Sequence, residues 1–232
     1  MSAAIGIVVL GAGGRMGTFA ASCIQAAPGL ELVAAAGSEG GLAAGCAAVE
    51  QGAQVALDLT RAGLGQTHGA ALLEAGLRIV IGTSGVDEVQ TAALDKLARG
   101  QGLGGCVVPN FSVGAWLQQR LAAEAGRYLP SASIVELHHP AKRDAPSGTA
   151  VQTAECLAEV TGSTPPIQSV RVEGLHARQD VLLGGPGELL TLSHQVTGRE
   201  AYAAGLLASL RYAAQANGVT RGLDDVLAWE AR

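Results

Sequence analysis

Lysine is scarce in this chain. Only Lys96 and Lys142 occur among fifteen basic residues, so positive charge is carried almost entirely by arginine. Charged residues make up 15% of the sequence, against roughly 25% in ordinary soluble domains. No basic run is present and the net charge is −5, which argues against nucleic acid or an anionic membrane surface as a partner. Long hydrophobic runs are lacking too. The stretch "AAIGIVVLGAG" near the start is broken by glycines, has no basic flank, and is too short for a membrane span or a signal peptide. A cytoplasmic location is therefore expected. Cys23, Cys46, Cys106 and Cys156 lie far apart with no C-x-x-C pair, so buried reduced thiols are expected, with neither disulfides nor a metal site.

What replaces the missing charge is alanine and 33 glycines in a chain that is 48% hydrophobic. At 232 residues this is enough for one large domain or two small ones with a substantial core. "AAIGIVVLGAGGRMG" reads as a buried strand over Ile5 to Leu10, a glycine turn, and a helix to about Ala27. Further apolar strands follow near Leu30 to Ala36, Gln54 to Thr60 and Leu77 to Thr83, and a weaker one ends near Val108. Helical patterns such as Val86 to Arg99 lie between them. Continuous apolar strands alternating with helices predict a Rossmann-like, doubly wound parallel sheet covered on both faces.

The pattern changes after Asn110. A helix over Val113 to Tyr128 leads into the strand "SASIVELHH", and another helix starts near Gly148. Three strands then follow without intervening helices: "IQSVRVEGL", "QDVLLGG" and "GELLTLSHQV". Gly-Gly-Pro-Gly between the last two is a hairpin signal. These features predict a second α+β domain with a mixed sheet, over 111–199. A last helix, about Glu200 to Asn217, returns the chain to the first domain, formed by 1–110 and 200–232.

"GAGGRMG" lies between a strand and a helix, the context of a dinucleotide site. Glycines let the backbone approach a pyrophosphate, and the helix N-terminus favours its charge. The spacing is G-x-x-G-x-x-G through Gly11, Gly14 and Gly17, because Met16 stands where the strict G-x-G-x-x-G motif has its third glycine. An acid that grips the ribose of NAD, or an arginine that accepts the phosphate of NADP, is expected at the end of the second strand. The chain has Gly37 and Ser38 there, then Glu39. Glu39 could reach a ribose, or Ser38 with Arg15 or Arg61 could serve a phosphate. The choice stays open between NADH and NADPH.

The stretch "ELHHPAKRDAPSGTA", Glu136 to Ala150, is where lysine matters. Arginine cannot give up its proton in an ordinary protein, whereas lysine can when its surroundings lower its pKa. His138 and His139 end a strand and so point to opposite faces. "APSGT" then offers a helix start with free N–H groups near Gly148 and Thr149. A lysine, a histidine and a helix N-terminus together can receive a carboxylate. Asp144 is expected to cap that helix rather than orient Lys142, and His176 and His194 to be structural.

The stretch closely resembles the signature of the 4-hydroxy-tetrahydrodipicolinate reductase (dihydrodipicolinate reductase) family of lysine and diaminopimelate synthesis. "GAGGRMG", "DLTR", "GTSG", "PNFSVG" and "GGPGELLTLSH" resemble family segments in the family's order, over nearly the whole chain. The resemblance implies proton transfer by His138 and Lys142 and substrate contacts from His139, Gly148 and Thr149. It implies cofactor contacts from Gly11, Ala12, Gly13, Gly14, Arg15 and Met16, from Gly82, Thr83 and Ser84, and from Val108, Pro109, Asn110 and Phe111, with Ser38 as a further candidate. It also implies hydride delivery from NADH or NADPH to carbon 4 of a small cyclic dicarboxylate, in a homotetramer joined through the second domain. Ser84 replaces the family's usual second threonine and keeps a hydroxyl. Pro109 replaces a usual alanine and removes a backbone donor. Another dinucleotide-dependent dehydrogenase would share the glycine turn without needing the histidine-lysine stretch. A silent sensor of the coenzyme ratio would need only the turn.

Overall fold

The computed structural model describes residues 3–37 and 41–231. The chain divides into two compact units, Met1–Phe111 with Tyr202–Arg232, and Ser112–Ala201.

In the first unit, β1 (Ile5–Leu10), β2 (Leu30–Ala36), β3 (Val55–Asp58), β4 (Arg78–Ile81), β5 (Gly104–Val107) and β10 (Gly218–Arg221) form one sheet in the order β10-β5-β4-β3-β1-β2. Every neighbouring pair is parallel. Helices α1 (Arg15–Ala26), α2 (Gly41–Ala47), α3 (Gly65–Glu74), α4 (Glu88–Gly100), α7 (Ala203–Gln215) and α8 (Asp224–Glu230) complete the unit. Burial on both faces explains why β1, β3 and β4 read as unbroken apolar runs: Val8, Leu10, Ala56, Ile79 and Ile81 are fully buried in a core with Leu72, Leu73 and Leu77. Asp87 and Gln90 form a reciprocal capping box at the start of α4. The chain leaves β1 for β2 on one side and returns to β3 on the other. The carboxyl ends of β1 and β3 therefore flank the switch point where open α/β sheets bind ligands.

The second unit holds α5 (Val113–Gly126), β6 (Ser131–His138), α6 (Gly148–Thr161), β7 (Ile167–Arg171), β8 (Ala177–Gly185) and β9 (Glu188–Val196), with its sheet in the order β7-β6-β8-β9. β6 and β7 are parallel and joined through α6, while the other two pairings are antiparallel. The sheet is mixed, as expected. Its core is Ala122, Ile134, Ala150, Ala154, Leu157, Val181 and Leu183, drawn from both helices and the central strands. β8 and β9 turn through Pro186 and Gly187, and Gly187 has φ +81, a left-handed value that glycine adopts without strain.

Several expectations are corrected. The last helix is shorter than Glu200 to Asn217: a 3-10 turn over Arg199–Tyr202 precedes α7, and β10 and α8 follow it. The segment between β2 and β3 also carries α2, which the sequence did not announce. Of the cysteines only Cys106 is fully buried, and burial pushes its thiol up to about 12 against the small opposing effect of the Ser209 carbonyl. Cys23, Cys46 and Cys156 are partly exposed.

Candidate active site

Three glycines shape the turn after β1. Gly11 has φ +78, and a Cβ there would sit 2.6 Å from the Leu59 carbonyl oxygen. Its N–H and that of Ala12 both donate to the Ala36 carbonyl, at 2.9 and 3.0 Å. Gly14 is the N-cap of α1 and supplies no side-chain cap, so the first-turn amides are left to another acceptor. A Cβ at Gly17 would lie 2.6 Å from Ala12 Cα and press into the Gly11 carbonyl, so this glycine lets the helix touch the turn. At Gly13 a Cβ would meet nothing within 4 Å. Arg15 is exposed and Met16 partly so. An open glycine face over uncapped helix amides fits a pyrophosphate.

Around this turn, Asp58 ends β3 fully buried and accepts from Thr60 N at 2.9 Å, Thr60 Oγ1 at 2.6 Å and His68 Nδ1 at 3.0 Å. This network fixes the loop behind Gly11. At the end of β4, Gly82 packs under Phe111, where a Cβ would come within 2.9 Å of the ring. Thr83 turns inward instead: it is buried, and a Cβ on Gly65 would sit 2.7 Å from its hydroxyl oxygen. Ser84 is exposed. Val108 is buried and donates its N–H to Ile81, Pro109 and Asn110 are half-buried, and Phe111 is buried. The structure thus brings these cofactor candidates to strand ends of one unit, but Thr83 can contribute only backbone. Ser38 lies outside the described residues.

In the second unit a buried polar cluster is built on one face of β6. Ile134 lies in the core, and two and four residues on come Glu136 and His138. The Glu136 side chain is fully buried, and its Oε2 meets His138 Nδ1. Arg171 closes the other side of the carboxylate, Nη2 to Oε1 at 3.0 Å and Nη1 to Oε2 at 3.1 Å. The same guanidinium reaches along the next loop, donating to the Lys142 carbonyl at 3.3 Å and the Asp144 carbonyl at 2.8 Å. Lys142 Nζ is paired with Asp144 at 2.8 and 3.0 Å. A turn bond from Lys142 N to the His139 carbonyl, 3.1 Å, sets the lysine just beyond the strand. His139 stands next to His176, with ring centroids 6.1 Å apart.

The helix start is built by Ser147, not Asp144. Ser147 Oγ accepts from Ala150 N at 3.2 Å as the N-cap of α6, while Asp144 is taken up by Lys142. Gly148 opens the helix, and a Cβ on it would meet nothing within 4 Å. Behind Thr149 runs a buried amide network that sequence reasoning missed. Thr153 Oγ1 donates to the Thr149 carbonyl at 2.8 Å and accepts from Gln179 Nε2 at 2.9 Å. Gln118 Nε2 donates to the carbonyls of Gln179 and Leu192, both at 2.8 Å. His194 approaches Ser112 Oγ at 3.5 Å and packs over Gly114, a structural contact.

Electrostatics follow from this packing. Burial pushes the Glu136 carboxyl up, but bonds from Arg171, Ser169 and His138 outweigh it and hold the group below the ordinary carboxylate range. Burial lowers His138, and the nearby Lys142 and Arg171 charges add to that effect against the pull of Glu136. Burial lowers His194 as well. The bond from Lys142 holds Asp144 low. A histidine whose folded pKa lies below its unfolded value of about 6.5 leaves the unfolded chain binding more protons in acid, so acid favours unfolding. The contribution is fully present above that value and is lost as pH falls through the folded pKa, with Glu136 adding a further loss below its own unfolded value. The urea midpoint should therefore fall between about pH 7.5 and about pH 5.5. A flat or rising midpoint would contradict neutral, buried imidazoles.

Among the described residues no three His, Cys, Asp or Glu side chains gather as metal ligands, and no helix is long and apolar enough to cross a membrane.

Residues 5–111 match the family model described as dihydrodipicolinate reductase, N-terminus, and residues 114–227 match dihydrodipicolinate reductase, C-terminus. A 4-hydroxy-tetrahydrodipicolinate reductase of Beutenbergia cavernae is 39% identical over 96% of this chain and 98% of its own length. A dipicolinate-bound dihydrodipicolinate reductase from a Paenisporosarcina species superposes with a TM-score of 0.84 at 31% identity, covering 96% of this chain and 99% of the other. A DAP dehydrogenase from C. glutamicum, 11% identical with a TM-score of 0.57 and covering 98% of this chain and 99% of the other, shares the fold alone. Two family models that between them span almost all of both units, with relatives aligned nearly end to end, leave one assignment: the chain belongs to the 4-hydroxy-tetrahydrodipicolinate reductase (dihydrodipicolinate reductase) family.

Proposed function

We propose that this protein reduces 4-hydroxy-tetrahydrodipicolinate to tetrahydrodipicolinate with NADH or NADPH, in lysine and diaminopimelate synthesis. The observation that carries the reading is the end of β6, where His138 and Lys142 are held by one buried carboxylate–guanidinium pair close in sequence to the capped start of α6. Membership of the reductase family supports it, as does the dipicolinate bound by the Paenisporosarcina relative, a small dicarboxylate.

In this reading the first unit holds the dinucleotide and the second the substrate. The turn from Gly11 to Met16 cradles the pyrophosphate, with the N–H groups of Gly13, Arg15 and Met16 turned to it while those of Gly11, Ala12 and Gly14 hold the turn itself. Gly82, Ser84 and Val108 to Phe111 line the rest of the coenzyme site. A bound reduced nicotinamide would supply a hydride to carbon 4 of the substrate once its 4-hydroxyl has left as water. Lys142 donates the proton that the neighbouring ring carbon then needs, and His138, kept neutral by burial, takes part in moving it. The amides of Gly148 and Thr149 and the side chain of His139 hold the carboxylates. The second unit also joins subunits into a homotetramer, consistent with Leu189 and Leu190 exposed on the edge strand β9. The enzyme works in the cytoplasm.

The test is oxidation of NADH and of NADPH in parallel, with substrate made in place by the preceding synthase from pyruvate and aspartate semialdehyde. Oxidation that depends on both precursors and on the synthase is expected, and the ratio of the two rates gives the coenzyme preference. Coenzyme binding without such oxidation would refute the reading and favour a sensor of the coenzyme ratio.

A further inference from the structure

We infer that Glu136 and Arg171 are positioning residues that fix His138 as the Nδ1–H tautomer and tie the loop bearing Lys142 to the same strand. The inference rests on the reading of His138 as a proton-transfer group.

The geometry has three parts. First, Glu136 is fully buried on β6, and a lone charge there would not be tolerated. It is ionised because Arg171 meets both its oxygens in a fork, the arrangement a planar guanidinium favours. Second, an ionised carboxylate can only accept, so the ring nitrogen that faces it must donate. His138 Nδ1 is that nitrogen, which places the neutral ring's proton on Nδ1 and leaves Nε2 with its lone pair. Third, of the three donors left to Arg171, one goes to the Val170 carbonyl of its own strand and two go to the loop after β6. Its bonds to the carbonyls of Lys142 and Asp144 link the lysine's main chain to the carboxylate that orients the histidine. Arg171 thus holds both proposed proton-transfer groups to a common frame. The charged groups facing His138 are Glu136 on β6, Arg171 on β7, and Lys142 and Asp144 on the loop.

A purely structural ion pair would make no demand on the histidine tautomer. Glu136→Gln separates the two cases. Arg171 faces both positions, so the glutamine must set its NH₂ against one of them, and in the Oε2 place that NH₂ also faces His138 Nδ1. Nδ1 must then accept, so the ring proton moves to Nε2 and the nitrogen left for chemistry becomes a donor, whereas an oxygen in the Oε2 place keeps the Nδ1–H ring. The Nε2–H share of the variant is expected to be inactive by about 10²–10⁴-fold in kcat with little change in KM, so kcat follows the tautomer. Arg171→Lys keeps the charge but not the fork. It is expected to retain the Nδ1–H tautomer while lowering kcat, because the Lys142 loop loses its carbonyl bonds.

The experiment is nitrogen NMR of the His138 ring in the free wild-type protein and in both variants, beside their kinetics and pH–rate profiles. Nδ1–H in the wild type, a kcat in Glu136→Gln that falls in proportion to its Nε2–H share, and Nδ1–H in Arg171→Lys would sustain the inference. Nε2–H in the wild type would overturn it, even if Glu136→Gln failed to fold. An inverted tautomer with unchanged kcat would overturn it too. Because the tautomers are read in the free protein, a wild type with the expected tautomers but no reductase activity would sink the functional reading and leave the positioning of His138 standing.

Discussion

Lys142→Ala is expected to lower turnover about 10²–10⁴-fold, the usual worth of a well-placed acid, without unfolding the protein. The lysine side chain is 22% exposed and its partner Asp144 is 64% exposed, so the freed carboxylate can be taken up by water. Such a pair contributes at most about 1 kcal/mol to stability. The loop itself is held by Arg171 through main-chain carbonyls and by the turn bond to His139, none of which needs the lysine side chain. Lys142→Arg is the sharper variant. Guanidinium keeps the positive charge that attracts a dicarboxylate but does not give up its proton, so KM should stay near normal while kcat falls almost as far as in the alanine variant. Substrate-dependent coenzyme oxidation by both variants checks this. Near-normal kcat in Lys142→Arg would leave Lys142 an electrostatic role only.

The lysine was legible because composition isolates it: one such side chain in a charged, histidine-bearing stretch stands out in a chain that otherwise uses arginine. The parallel sheet was legible for a related reason, since strands buried on both faces must be apolar throughout. Glu136 and Arg171 were not legible. They are 35 residues apart and come together only because β6 and β7 pair in parallel, with His138 opposite Arg171. No local spacing encodes that register. Asp144 and Ser147 are equally good caps by residue type, and which of them serves depends on where α6 begins; a start at Gly148 leaves Asp144 outside the helix, within reach of Lys142. Thr83 shows a limit of motif reading. It follows Ile81 by two residues and so points with it toward Gly65 of α3, whereas Ser84 faces outward. β10 escaped notice because "GVTR" is four residues with a glycine and an arginine, too short to carry a pattern.

Gly13→Ala and Gly17→Ala are expected to weaken dinucleotide binding for different reasons, and stability tells them apart. At Gly17 a methyl group would press into the Gly11 carbonyl and lie 2.8 Å from its carbon, so α1 must move off the turn. Overpacking of this kind typically costs about 1–3 kcal/mol, and displaced amides no longer converge on a phosphate. Both the urea midpoint and the coenzyme affinity should drop. At Gly13 nothing stands within 4 Å of the added carbon, and φ is not in the left-handed region. The free protein should keep its stability, or gain slightly from the reduced freedom of its unfolded chain. If the pyrophosphate lies over that open face, the methyl displaces it from charge-assisted backbone bonds worth about 1.5–3 kcal/mol, a loss of roughly 10–100-fold in affinity. Calorimetric titration with NADH and NADPH, paired with denaturation of each variant, measures both quantities. Unchanged affinity in Gly13→Ala would put the coenzyme phosphates elsewhere. Lost affinity at full stability would locate them on the glycine face, because no contact of the free protein would have changed.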